Sequence, residues 1–374
     1  AAMRPVDPAW AGLAPAAPLG ADPGLHHDPA TADAGPDQRA DVVARFVDAA
    51  HTTAAGARAE AAAAGYCETV VTERLLANSA GQRLADRFTR AGVDGILRLG
   101  GGESDGVGSR YSYRLSDIDG SAVGTEAADR ARRGLHAVEL PAGRYEVILE
   151  PRCVGYLVDF LLIYGFNARA VLEGRSFVSL GEAQFDPAVS VRDDATDARQ
   201  VGGLFDAEGT PKRPVALVES GVVTSVCHDR RTAARVSPPA QSTGHAVPGG
   251  EAFGAMASNV FLTATGPTSP RDELIRRVER GLLVSDFWYA RVLDPKTLVA
   301  TGLTRNGVFL IENGELGRAV SNQRYTQTYA AALAPGRVLG IGDDSVLVTG
   351  DFGTGHYLPS LRLAQWNFTG NASG

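Results

Sequence analysis

Apolar positions along the chain follow two periods, and the change from one to the other divides the sequence. From Asp37 to Cys67 helix formers dominate, and Val42, Val43, Phe46 and Val47 fall on one face, which predicts an amphipathic helix. "TVVTERLLANSAGQRLADRFTRAGVDGILRLGG" (69–101) then places β-branched runs on either side of "NSAGQ", the pattern of strands around a tight turn. "GTEAADRARRGLHAVEL" (124–140) reads as a helix leading into a strand, and "YEVIL" (145–149) alternates. The first 39 residues are rich in Ala, Pro, Gly and Asp without a sustained period, and predict loop or loosely held linker.

Strands dominate the second half. "RPVALVESGVVTSVCHD" (213–229) predicts a hairpin around Glu219-Ser220-Gly221, and "TRNGVFLIENGELGRAV" (304–320) predicts turns at Asn306-Gly307 and Asn313-Gly314. Between them "SPRDELIRRVERGLL" (269–283) predicts a helix. Ser269 would cap it, Pro270 would open it, and Leu274, Ile275, Val278 and Leu282 would form its apolar stripe. The expected fold is α+β. A partial α/β amino-terminal domain with a loop-rich leader (1–140) precedes a strand-rich, curved-sheet or barrel-like carboxy-terminal domain (141–374).

Composition narrows the partners. A net charge of −7 and a pI near 5.6 offer no basic footprint, so nucleic acid is not expected. The longest apolar run, "VGYLVDFLLIYGF" (154–166), contains Asp159 and is too short to cross a bilayer, so no membrane span is expected. The opening "AAMRPVDPAW" has no basic start followed by an apolar core, so it predicts no secretory signal. Cys67, Cys153 and Cys227 are odd in number and far apart, which predicts free thiols and a cytoplasmic protein. Lys212 and Lys296 are the only lysines among 36 basic residues, the signature of a GC-rich bacterial genome.

Chemistry-bearing motifs are sparse. Gly100-Gly101-Gly102 and "GIGDD" (340–344) complete no phosphate loop and predict turns, and no G-x-S-x-G elbow occurs. No two histidines stand one helical turn apart around a glutamate. His26-His27 is expected at the surface, His136 on a turn and His356 isolated, while Asp343, Asp344 and Asp351 read as solvated loop carboxylates. "HDRRTAARVSPPAQSTGHA" (228–246) holds two histidines too far apart to share a turn. Its own residues predict a turn in which Asp229 pairs with Arg230 or Arg231 and Thr232 caps the segment after it.

Three long stretches resemble the TldD/PmbA family. They are "DAEGTPKRPVALVESGVVTSVCHDRRTAAR…STGHA" (206–246), "GLLVSDFWYARVLDPKTLVATGLTRNGVFLIENGEL" (281–316) and "LPSLRLAQWNFTG" (358–370), and the likeness covers nearly all of 140–374. Before residue 140 it is fainter, and much of the family's usual amino-terminal domain is expected to be absent. The resemblance implies one of two paired metallopeptidase subunits. The catalytic TldD-like kind carries His-Glu-x-x-x-His on a helix, with a later cysteine completing a zinc site; the TldE or PmbA-like kind lacks it. Here the corresponding helix, "GYLVDFLLIYG" (155–165), would put Asp159, Phe160 and Tyr164 at the His, Glu and His positions. Phenylalanine is no general base and tyrosine a poor zinc ligand.

The resemblance therefore implies a zinc-free subunit with no catalytic residues and no metal of its own, paired in a heterodimer with a zinc-bearing TldD-like partner. That pair would cleave a peptide or other amide substrate, in proteolysis or a natural-product pathway. It also implies a substrate cleft near His228, Asp229, Arg231, Thr243 and His245. Two other readings stay open: a stand-alone hydrolase drawing on Cys153, Cys227 or His228, and a homodimeric binding protein.

Overall fold

Residues 29–134 form a small layered unit in the computed structural model, which describes residues 10–57, 60–350 and 355–372. Helices α1 (Pro29–Ala32) and α2 (Pro36–Ala54) precede the antiparallel strands β1 (Ala61–Ala77), β2 (Arg83–Leu99) and β3 (Ser104–Ser112), and α3 (Gly120–Gly134) comes after them. Val42 and Phe46 of α2 and the alanines 127, 128 and 131 of α3 pack on Val93, Leu97 and Leu99 of β2. Alanine and glycine let these layers come close. A Cβ on Gly106 of β3 would stand 2.0 Å from the Ala127 carbonyl, and one on Gly124 would stand 2.2 Å from the Phe46 carbonyl.

The larger unit continues as β4 (Gly143–Leu149), α4 (Pro151–Phe160), α5 (Ala168–Leu172), β5 (Val189–Asp193), β6 (Val215–Glu219), β7 (Val222–Val223), α6 (Arg230–Arg235), α7 (Gly250–Phe253) and β8 (Asn259–Ala264). Then come α8 (Arg271–Arg276), β9 (Arg280–Asp294), β10 (Val299–Glu312), β11 (Glu315–Ala319), β12 (Gln323–Thr328), α9 (Tyr329–Ala332), β13 (Val338–Ile341), β14 (Val346–Thr349), β15 (Gly355–Leu358) and β16 (Leu361–Asn371). Strands β10, β12, β16, β4 and β9 pair in that order, and β9 pairs back onto β10, closing a barrel. Its interior is aromatic: Phe287 lies 4.5 Å from Tyr325 and 5.3 Å from Trp366 between ring centroids. A second sheet runs β14-β15-β8-β5-β6-β7, and α4 packs between it and the barrel strand β9.

The α+β class and the barrel-like second half are as the hydrophobic pattern implies, and the small sheet is an antiparallel meander rather than a parallel α/β layer. Several local expectations fail for identifiable reasons. Ala61–Ala64 is strand, not helix, because pairing with Ile96–Leu99 outweighs alanine's helical preference. The helix expected over 269–283 stops at Arg276, since Gly281–Val284 is drawn into parallel pairing with β4, and Pro270 rather than Ser269 stands at its amino end. Asn306-Gly307 is a bulge inside β10, where pairing with β9 skips from Arg305 to Val308; Asn313-Gly314 is the turn. The leader is held, not loose. His26 is buried, with ring nitrogens 2.9 Å from the carbonyls of Gly202 and Asp197, so it is not a surface residue.

Candidate functional site

Helix α4 opens with Pro151, whose missing N–H costs nothing in the first turn. Cys153, Val154, Leu157 and Val158 are fully buried, and the helix widens into a π-turn over Leu161–Gly165. One charge breaks this apolar surface. The Asp159 carboxylate lies 2.7 Å from Nε2 of His356 on β15, and both side chains are buried. Phe160 stacks on Tyr329 at 5.8 Å and meets Tyr164 edge-on at 6.1 Å. The expectation of an isolated His356 is thus corrected: an aspartate in an apolar helix needs a partner, and that was the signal available in the sequence.

The stretch 228–246 folds around its own backbone. Asp229 caps α6, accepting hydrogen bonds from the Thr232 amide and hydroxyl, both at 2.6 Å. Arg230 does not pair with that carboxylate; its guanidinium donates to the carbonyls of Ala11 and Gly12. Arg231 is half-buried in the first turn. The His228 amide donates to the Thr243 hydroxyl (2.8 Å), and the Thr243 amide donates back to the His228 carbonyl (3.0 Å). His245 is fully buried, with Nδ1 2.9 Å from the Thr243 hydroxyl and Nε2 3.0 Å from Asp193 Oδ1. The ring N–H is not aligned on that oxygen, so the last contact is an ion-pair approach rather than a directed hydrogen bond.

Asp193 also accepts the amides of Ser258 and Asn259, each at 2.7 Å, and Lys212 hydrogen-bonds the Ser258 hydroxyl. Burial alone would raise the Asp193 carboxyl, but His245, Lys212 and the donated hydrogen bonds outweigh it and hold the group well below the usual range. Burial pushes the His228 imidazole below its ordinary value, against the opposing charge of Asp229. Four of the five residues expected near a cleft, His228, Asp229, Thr243 and His245, therefore share one buried network. Asp193, Lys212 and Ser258 complete it and were not foreseen.

A charged seam joins the small unit to the barrel. Arg152 at the start of α4 donates to Asp94 on β2 (2.8 Å) and to Asp286 on β9 (3.3 Å). Arg130 of α3 donates to Glu150 (2.8 Å), which Arg271 also meets. Burial disfavours the Arg152 charge, yet Asp286 and Asp94 prevail and raise its pKa; burial likewise opposes the Glu150 charge, and Arg130 and Arg271 lower its pKa. Along this seam lie cavities of about 820, 370 and 90 Å³. The smallest touches Asp94, Arg152, Asp159 and Asp286.

Comparison with known proteins settles the family. Residues 142–370 match the model of the PmbA/TldA metallopeptidase C-terminal domain, and residues 36–135 match that of the central domain. The chain belongs to the PmbA/TldD family. It is 28% identical over 294 residues to a metalloprotease of Methanocaldococcus jannaschii, covering 76% of this chain and 61% of that protein. It is 26% identical over 279 residues to a metalloprotease of Methanothermobacter thermautotrophicus, covering 71% and 59%. It thus spans about three-fifths of the length of these curated relatives. Its fold is similar to the crystal structure of TldE from Thermococcus kodakarensis, with a TM-score of 0.84 at 17% identity, covering 98% of this chain and 81% of that one.

Within the PmbA/TldD frame, α4 is the place to ask whether zinc fits. Asp159 and His356 are possible donors, but they already bind each other, and Phe160 offers no lone pair. Cys153 and Cys227 are buried, and burial pushes both thiols well above their ordinary value, which disfavours the thiolate a metal needs. Among the described residues no group of three or more His, Cys, Asp and Glu side chains could hold a metal ion. The donor set does not fit zinc. Asp343 and Asp344 lie beside β14, where Asp344 accepts the Ser360 amide and hydroxyl; Asp351 falls outside the described residues. No helix among the described residues is long and apolar enough to cross a membrane.

Proposed function

We propose that this chain is a zinc-free, TldE/PmbA-like subunit that pairs with a TldD-like metallopeptidase, together cleaving peptide or other amide bonds in the cytoplasm. The observation that carries the reading is helix α4. Where a catalytic subunit needs two ligands and a base, this helix offers an aspartate committed to His356, a phenylalanine stacked on Tyr329 and a tyrosine. The partner would supply the zinc, whose chemistry is to polarise the scissile carbonyl and activate water. This chain would supply cleft walls, with the 228–246 network holding the loops behind them. The likeness in fold to a protein titled TldE supports the subunit type, and the relatives named as metalloproteases support the reaction class. The buried Cys153 and Cys227 thiols weigh against a stand-alone cysteine hydrolase.

The test is co-expression with a TldD-like chain from the same genome. Light scattering should show a complex of both chains, and peptide cleavage should accompany that complex alone. Hydrolysis by the isolated chain, undiminished by a zinc chelator, would overturn the proposal.

A further inference from the structure

We infer that the small cavity at Asp94 and Asp286 binds a primary ammonium group, the free amino terminus of a peptide. This rests on the reading above that the substrate is a peptide, and names which end of it this chain holds. The cavity lies where β2, β3, α4, β9 and β14 meet. Its walls carry three carboxylates, Asp94, Asp159 and Asp286, against the single guanidinium of Arg152, a surplus of negative charge. Asp159 is committed to His356. Asp286 is 2% exposed, and its Oδ2 serves both Arg152 and the Asn306 amide at 3.0 Å, while Oδ1 is buried and has no hydrogen-bond donor. A buried, ionised oxygen without a donor is costly. A cationic donor entering the cavity would relieve it.

Size and surroundings select the donor. A water occupies about 30 Å³, so a cavity of about 90 Å³ admits an ammonium and its neighbouring carbon but little more. An ammonium brings three N–H donors to separate acceptors. Asp94 Oδ2 is within 3.2 Å of the Tyr111 hydroxyl, so acceptors stand on more than one wall. Metal ions are less suited, since the described carboxylates form no group able to hold one. The cavity of about 370 Å³ shares Arg152 and Val348 with the small one. A chain whose amino terminus sat at Asp286 would continue along the seam past Glu150 and Arg130.

Isothermal titration of the intact chain tests this with three probes: trialanine amide, its N-acetylated form, and an N-acetylated peptide containing lysine. Trialanine amide should bind, and acetylation should weaken it at least about tenfold, the loss expected for one charge-assisted contact. Asp286→Asn should abolish that discrimination. Because this change could loosen Arg152, Asp94→Asn and a melting curve accompany it, and the wild-type comparison stands without either variant. Equal affinity for the free and acetylated peptides, or no binding of trialanine amide, overturns the inference. Tighter binding of the acetylated lysine peptide assigns the cavity to a side-chain ammonium and also overturns it. Binding here requires neither partner nor zinc, so failure of the co-expressed pair to cleave peptides would sink the subunit reading while leaving this result to stand.

Discussion

The protein buries two histidine–aspartate pairs, and they sit in opposite settings. His245 faces Asp193 at 3.0 Å inside a polar web, in which Asp193 also takes two backbone amides and lies near Lys212. His356 faces Asp159 at 2.7 Å against an otherwise apolar helix, at the wall of a cavity. A carboxylate that satisfies several backbone donors holds loops in place, and its loss strands each of them. A carboxylate that pairs with an imidazole beside a cavity contributes less to the fold. The first pair ties β5 to the start of β8 and to the 228–246 loop. The second replaces chemistry that the same helix performs in a catalytic relative. Similar residue pairs thus carry different work because their surroundings differ.

The largest effect should come from breaking the first pair. Asp193→Ala should destabilise the chain by about 3–5 kcal/mol, the range for removing one partner of a buried charge pair, measured by urea unfolding. Because the folded-state carboxyl is depressed below its ordinary value of 3.8, its contribution is complete above about pH 4 and is lost as pH falls towards the lower folded value. Asp193→Ala should therefore also flatten the acid limb of the stability profile. Asp159→Asn should cost less, about 1–3 kcal/mol for one disturbed buried hydrogen bond. Equal losses at the two sites would break the comparison.

A smaller effect concerns His228, which the web keeps partly out of water. Its imidazole is depressed below 6.5, so it favours the fold when neutral, above that value, and this contribution is lost as pH falls through the lower folded value. His228→Gln should make stability less dependent on pH just below 6.5, by a margin smaller than either aspartate change. An unchanged slope would mean that His228 is hydrated in the folded chain.

Much of this arrangement was legible in the sequence where local signals agree with long-range ones. The β1–β2 meander arises from β-branched runs around residues 78–82, and the Asn313-Gly314 turn from its dipeptide. Legibility fails where a distant strand overrides local preference, as at Ala61–Ala64, and where a bulge imitates a turn, as at Asn306-Gly307. His26 escaped because its partners lie about 170 residues away in the chain. At the site, the residues of 228–246 were visible but Asp193 was not, since nothing local marks an aspartate that will receive two amides from β8 and its approach. Asp159 was visible and His356 recoverable from it, because a charge in an apolar helix demands a partner.

The central claim, that α4 has exchanged metal chemistry for packing, is tested most directly by metal content. The purified chain should be dialysed without chelator and its zinc measured by mass spectrometry beside the Asp159→Ala variant. The account predicts no stoichiometric zinc in either. About one zinc per chain, tetrahedral as protein sites usually are and lost on replacing Asp159, would contradict it.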